Sequence, residues 1–394
     1  MEPTLKFRTI AIIHHGENVP GIDGYKSLRY GRLAEELTNK GYRVIRISPS
    51  FSHSRRVQRP IGKSTSSEGE HYVVPTTGYT SNFGLKRLQF IFQLNIGAAK
   101  AMKELKNDLD VVIVGVPPPG VLITCRLVLG LSFPIIADVR DIWPDAFAVG
   151  SRKKWKYIAQ GIGKIVSREM LLADRVTIVS EPMRNWVPSK CQTTMIPLGM
   201  SHSNSLQHHN NRSEAALRVC FVSNHTAGFD FLDLMNGWCR FCEEVEGSPL
   251  LTFVGAKPTD PEFCEIVARC ENVEFLGRVM PSSVNGILCT YDVGLAPCSV
   301  EWEYSLGNKV FEYLATGLVV AHTINPEITK TMDSLKLSTH CERSQSSWHE
   351  AFHKLHEERN FLRVHRTDRI KKADKLFGRA ATTKAFLAEI NELL

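Results

Sequence analysis

Between Ser305 and Gly317 the chain gathers residue types that handle phosphate and sugar hydroxyls: Ser305-Leu306-Gly307-Asn308-Lys309-Val310-Phe311-Glu312-Tyr313-Leu314-Ala315-Thr316-Gly317. Phe311, Leu314 and Ala315 recur at helical spacing and predict a buried stripe. Lys309 and Glu312, three apart, then fall on a neighbouring face near the helix start. Unpaired backbone amides at a helix N-terminus suit a diphosphate, and Lys309 adds positive charge there. Glu312, one turn further in, offers a fixed carboxylate that can accept hydrogen bonds from two ribose hydroxyls. A plain surface Lys–Glu pair fits the same spacing, and spacing alone leaves the two readings even.

The surrounding elements must position this helix. Short β-branched runs alternate with helical patterns, the mark of parallel sheets flanked by helices. In the first half strands are expected at Thr9–Ile13, Arg43–Ser48, His71–Val74, Val111–Gly115, Pro134–Asp138, Arg175–Val179 and Thr194–Ile196. Helices are expected there at Lys26–Asn39, Leu85–Lys106 and Lys154–Ala173. A polar, Ser/Asn/His-rich stretch predicts a linker over 200–216. The alternation then restarts, with strands at Leu217–Ser223, Leu250–Gly255, Val273–Leu276, Val293–Ala296 and Leu318–Thr323. Helices are expected at Phe231–Val245, Pro261–Cys270, Ser282–Cys289, Asn308–Thr316 and Trp348–Arg359, and a last helical pattern over 371–394. The expected domains are therefore 1–199 and 217–370, with the last helix able to pack back on the first. No Gly-x-Gly-x-x-Gly or Walker-type loop follows any strand, which disfavours dinucleotide oxidoreductases and P-loop kinases.

A hydrophobic content of 43% and charged content of 23% are those of a globular protein. Met1–Lys6 does not open a signal peptide, and the apolar region Val111–Ala137 is too broken by prolines and Arg126 to span a bilayer, so a cytoplasmic chain is expected. The ten cysteines then read as reduced thiols. Cys239 and Cys242 are spaced as metal ligands, but Cys264 and Cys270 are not, and Cys239 falls within an amphipathic helix; no metal site is expected.

The Asn308–Gly317 segment resembles the donor-site signature of family-four glycosyltransferases. The resemblance continues through Ala173–Glu181, Ile196–Gly199, Val273–Val279 and Tyr291–Pro297, in the right order. It implies the GT-B fold: two Rossmann-like, doubly wound parallel-sheet domains with a cleft between them. Ser50-Phe51-Ser52-His53 and Asp138-Val139-Arg140-Asp141-Ile142-Trp143-Pro144 make the chain most similar to bacterial O-antigen and capsule transferases, N-acetylfucosamine transferases among them. The implied activity is retaining, metal-independent transfer from a nucleotide sugar, a UDP-sugar, with no further cofactor. By this resemblance Arg140 neutralises donor phosphate and Asp141 orients a sugar hydroxyl; an internal Asp138–Arg140–Asp141 ion-pair network is the alternative. Donor-binding roles fall to Gly16, Asn224, His225, Arg278, Val279, Ser305, Asn308, Lys309 and Glu312, the last also counted with Arg140 and Asp141 as catalytic. His14-His15-Gly16 lies near the cleft, and Gly16, Gly21 and Gly24 give its loop room to approach a ligand. The chain departs from the family at Tyr304, where a Glu is usual, and at Asn224 and Phe229, where Arg and Lys are usual.

Up to Leu198 there are about 28 lysines and arginines against 16 acidic residues; beyond it, about 20 against 25. Arg55, Arg56, Arg59 and Lys63 share one expected loop, and Lys86, Arg87, Phe90, Ile91 and Phe92 begin a basic, aromatic helix. Such a surface suits peripheral contact with the cytoplasmic face of the inner membrane and a polyprenyl-diphosphate-linked or glycan acceptor. A solvated charged face over a buried Phe stripe is the plainer reading. No nucleic-acid recognition motif is present. Two other functions fit the same fold: a sugar-nucleotide epimerase, and a silent binding or assembly subunit.

Overall fold

The computed structural model describes residues 8–20, 22, 28–53, 55–80, 84–142, 153–200, 216–302 and 306–394, with the backbone alone for 153–160 and 281. The chain divides into two units, Met1–Pro197 with Arg379–Leu394, and Leu198–Gly378.

In the first unit the elements run β1 (Thr9–Ile13), α1 (Arg29–Asn39), β2 (Arg43–Pro49), β3 (Phe51–Ser52), β4 (Val57–Gln58), β5 (Gly62–Ser66), β6 (Gly69–Val74), α2 (Leu85–Leu105), β7 (Val111–Val116), α3 (Val121–Leu129), β8 (Ile135–Val139), α4 (Lys153–Glu169), β9 (Arg175–Ile178) and β10 (Thr193–Met195). The main sheet has the order β10-β9-β8-β7-β1-β2-β6-β5. Every pairing is parallel except β5 with β6. β1, β7 and β8 are buried along their whole length, so they read as continuous apolar runs instead of alternating ones.

The second unit contains β11 (Arg218–Ser223), α5 (Leu232–Glu244), β12 (Leu250–Gly255), α6 (Pro261–Ala268), β13 (Val273–Gly277), α7 (Val284–Leu288), β14 (Val293–Ala296), α8 (Asn308–Ala315), β15 (Val319–His322), α9 (Pro326–Ser334), β16 (Ser338–His340), α10 (Gln345–Glu357), α11 (Arg359–Val364) and α12 (Arg366–Phe377). Its parallel sheet has the order β13-β12-β11-β14-β15-β16. Alternation along β11 builds a core on each face. Val219 and Phe221 pack with Trp238 and Phe241 of α5 and Phe352 of α10. Cys220 packs with Phe311 of α8 and Ala373 and Phe377 of α12.

Several expectations need correction. The single helix expected over 371–394 is two, because Gly378 adopts extended backbone between α12 and α13 (Arg379–Leu393). Phe386 and Ile390 of α13 enter the first unit's core beside Ile10, Tyr30 and Leu33, and Arg379 pairs with Glu35 of α1. The loop expected around Arg55–Lys63 holds β4 and the start of β5, and its cations do not form one exposed patch. Arg59 is buried, donating to the carbonyls of Pro49 (3.1 Å) and Glu17 (2.9 Å), while Lys63 pairs with Glu104. On α2, Arg87, Phe90 and Ile91 are buried; Leu85, Lys86, Leu88 and Phe92 are exposed. The stretch 201–215 of the expected linker lies outside the described residues, as do Gly21, Gly24, Tyr304 and Ser305.

Candidate functional site

In a doubly wound sheet, ligands bind where the chain order reverses, beyond the carboxyl ends of the strands. In the second unit that point lies between β11 and β14. These strands pair only at Val219–Val293 and Cys220–Gly294, then part. Their orphaned backbone groups find Tyr313 of α8. Val222 N–H donates to the Tyr313 hydroxyl at 2.9 Å, and that hydroxyl donates to the Leu295 carbonyl at 3.2 Å. Gly294 makes this approach possible, since a Cβ there would lie 2.4 Å from the Tyr313 ring. The hydroxyl therefore fixes α8 over the switch point.

At the start of α8, Gly307 is exposed and no side chain caps the helix. By contrast Asp260, Asn325 and Ser344 cap α6, α9 and α10. Lys309 reaches back over two rings, its Nζ 3.5 Å from the centre of Phe229 and 4.1 Å from that of Phe221. That Nζ is buried and has no hydrogen-bond partner among the described residues. Burial pushes the Lys309 pKa down to about 7, against the opposing pull of Cys298 and Glu312. Burying a charged group is costly unless it is paired, and among the described residues Lys309 has no anionic or hydrogen-bonding partner at its Nζ. At Phe229, where the sequence resemblance implies a Lys, the structure places a ring that packs against the Lys309 ammonium. Phe229 was a mismatch in the sequence; only the fold shows it under Lys309.

The other expected donor contacts take varied places. His225 stacks on Phe229 at 5.9 Å, and its Nδ1 lies 3.2 Å from the Ala227 carbonyl. Lost hydration and then the Lys309 charge lower its pKa. Asn224 and Asn308 are exposed at the same end of the sheet, and Glu312 is half-buried one turn along α8. Val279 packs on the core that contains Val310 and Phe311, whereas Arg278 is exposed beyond β13.

In the first unit the switch point lies between β1 and β7. Glu17, which the sequence reading passed over, organises it. Its buried carboxylate accepts the amides of Tyr30 (3.0 Å) and Gly31 (3.1 Å) at the start of α1, and Nη1 of Arg140 at 3.1 Å. The N-terminus of α1 is therefore already filled by the chain's own anion. Arg140 belongs to this pair; burial opposes its charge, but Glu17 raises its pKa above the ordinary value. The expected Asp138–Arg140–Asp141 network does not form in that way. Asp138 is instead enclosed by Arg29 (2.8 and 2.9 Å), the Tyr30 hydroxyl (2.8 Å) and Thr177 (2.6 Å). Burial works to raise its pKa, but Arg29 and these donors hold it below the usual carboxylate value. Asp141 makes no such bonds among the described residues, and loss of hydration raises its pKa despite neighbouring Arg140. His14 is buried on Arg46 (3.1 Å) and stacked on Tyr30; burial, then Arg46, drive its pKa well below the usual value. Beyond its chain neighbours, no described residue comes within 4 Å of the position a Gly16 Cβ would take.

The sequence of residues 218–357 matches the family described as glycosyl transferases, group 1. No protein of curated function matches the chain in sequence. Among solved structures, sucrose-phosphate synthase from Thermosynechococcus elongatus is similar at a TM-score of 0.66 with 15% identity, over 98% of this chain and 99% of that one. WaaG, a glycosyltransferase involved in lipopolysaccharide biosynthesis, gives 0.63 at 13% identity over 96% and 98%. The fold is GT-B. HepE from Anabaena, solved in complex with UDP-glucose, shares this GT-B fold at a TM-score of 0.61 with 12% identity, covering 98% and 99%. In GT-B terms, α8 and the β11–β14 switch point belong to the part of the chain that matches the group 1 family in sequence.

Proposed function

We propose that this chain is a retaining glycosyltransferase that moves a sugar from a nucleotide-sugar donor to a lipid-linked or glycan acceptor in bacterial surface-polysaccharide synthesis. The observation that carries the reading is the buried Lys309 ammonium at the uncapped start of α8, which has no hydrogen-bond partner among the described residues. Lys309 and the α8 amides bind the diphosphate, Glu312 accepts from the ribose hydroxyls, and His225 and Asn224 add donors. Filling of the α1 N-terminus by Glu17 supports assigning the diphosphate to the second unit. The acceptor hydroxyl bonds to the sugar's anomeric carbon as the bond from that carbon to phosphate oxygen breaks. Its proton passes to the departing diphosphate on the same face, so the protein's main task is stabilising charge. Asp141 orients a sugar hydroxyl, and the Arg140–Glu17 pair fixes the backbone beside it.

A UDP-linked donor, with a sugar of the N-acetylfucosamine type, follows the sequence resemblance, and the UDP-glucose complex of HepE is consistent with the base. Among the described residues no helix is long and apolar enough to cross a membrane. Peripheral contact is supported by a row of exposed apolar residues on α2 (Leu85, Leu88, Phe92, Ile96), with Leu127 of α3 also exposed. Lys86, Lys100 and Lys103 add positive charge on α2. A panel of UDP-, GDP- and dTDP-sugars screened by melting temperature identifies the donor. Lys309→Ala and Glu312→Ala should then each cut turnover at least tenfold in folded protein. Unchanged turnover in both removes the site. Nuclear magnetic resonance of donor alone separates transfer from epimerisation, since only an epimerase alters the sugar without acceptor.

A further inference from the structure

On the face of the second unit opposite α8, α5 and α10 pack against each other and present ligand chemistry that sugar transfer does not use. His349 and His353 stand four apart on α10, so both imidazoles leave the same face one turn apart. Glu244, at the end of α5, lies between them. Its Oε2 is 2.9 Å from His349 Nε2 and 3.1 Å from His353 Nε2, and the three atoms lie within 4.8 Å of one another. Bonds of 2.0–2.2 Å from a tetrahedral cation to nitrogen and oxygen set ligands roughly 3.3 Å apart. Small side-chain rotations, with the Nε2 protons now shared with Glu244 shifting to Nδ1 or to solvent, would close the three atoms on one ion.

From this geometry we propose that Glu244, His349 and His353 form a binding site for one zinc-class divalent cation, clamping α5 to α10. Two imidazoles and a carboxylate select Zn²⁺, Co²⁺ or Ni²⁺ over Mg²⁺, which prefers oxygen ligands and retains its waters. The supporting shell is present. Arg240 donates to the other carboxylate oxygen, Oε1, at 3.0 Å, so it orients Glu244 without occupying the oxygen that the metal takes. The Phe241 ring packs edge-on against His353 at 5.2 Å and limits that imidazole's swing. Three protein ligands leave the fourth position to water. Because α5 and α10 cover the Phe221 face of the sheet, and α8 the Cys220 face, the ion acts as a structural clamp.

The experiment uses the full chain stripped with a chelator and titrated with Zn²⁺ alone by calorimetry, with Mg²⁺ as control. The expected result is one equivalent of Zn²⁺ at micromolar affinity or tighter, a raised melting temperature, and visible d–d absorption when Co²⁺ replaces zinc. Glu244→Gln keeps a hydrogen-bond acceptor for the imidazoles but removes the anionic ligand, and should weaken zinc at least tenfold. The pair His349→Ala with His353→Ala should abolish binding, with circular dichroism checking the fold. Zinc binding unchanged in these variants but lost in Cys242→Ser/Cys270→Ser would overturn the assignment in favour of these thiols, which pack against the same core. Absence of Zn²⁺ binding, or equal response to Mg²⁺, would overturn it outright. Donor binding at α8 is read separately by nucleotide-sugar titration, so failure of either site leaves the other tested on its own.

Discussion

Lys309 makes the proposed donor site sensitive to pH in a calculable way. With its pKa pushed down to about 7 from an ordinary 10.5, half of the free protein carries the ammonium at pH 7. At pH 9 only about one molecule in a hundred does, and each further unit costs about 1.36 kcal/mol to recharge it. The diphosphate of a nucleotide sugar has no proton to exchange in this range, so its binding must draw one from solvent. The dissociation constant should weaken roughly fiftyfold between pH 7 and 9. His225 titrates below its usual value and so contributes little above pH 7. Calorimetry in two buffers of different ionisation enthalpy should show about half a proton taken up per ligand at pH 7 and nearly a whole one at pH 8.5. The sign for stability is opposite. The unfolded chain binds more protons between pH 7 and 10.5, so the ligand-free protein gains stability as pH rises through that window. Lys309→Met should remove that slope, raise the melting temperature at neutral pH, and leave only weak, pH-independent donor binding. Affinity constant within twofold from pH 7 to 9, or binding without proton uptake, would refute the reasoning.

Other outcomes follow from the same structure. Glu17→Gln strands Arg140 in a buried position and weakens the cap of α1. A loss of about 3–5 kcal/mol is expected, seen as a melting temperature lower by on the order of 10 °C; a variant that melts like the parent contradicts the pairing. Tyr313→Phe leaves the Val222 amide and the Leu295 carbonyl unsatisfied at the switch point, which should cost about 2–4 kcal/mol in urea unfolding. Faster hydrogen exchange at Val222 is the local signature, and unchanged exchange would count against it. Leu88→Glu and Phe92→Glu should each reduce co-sedimentation with anionic vesicles about tenfold or more, from the lost burial of one large side chain. Equal binding by both variants would remove α2 from any membrane contact.

The fold was largely legible because its strands are buried on both faces and read as short, unbroken β-branched runs; β1, β12 and β14 fall at their expected bounds. Elements without a distinct period were missed. Helix α3 lies inside a longer apolar stretch, where helix and strand look alike, and β16 is only three residues long. At the site, Asn308, Lys309 and Glu312 could be read because helix spacing alone fixes their order. Glu17 could not: the amides it accepts belong to Tyr30 and Gly31, thirteen and fourteen residues away, and no local rule links them. Likewise the sequence shows Phe229 merely as the wrong residue type, since a ring beneath an ammonium exists only after β11 and α8 are brought together.

The return of residues 379–394 to the first unit has a consequence for biogenesis. Translation runs from the amino end, so the Leu198–Gly378 unit can finish folding while the earlier unit still lacks Phe386 and Ile390. Until then a hydrophobic seam along α1 stays uncovered, and nascent chains stalled before Arg379 should be the ones that chaperones hold.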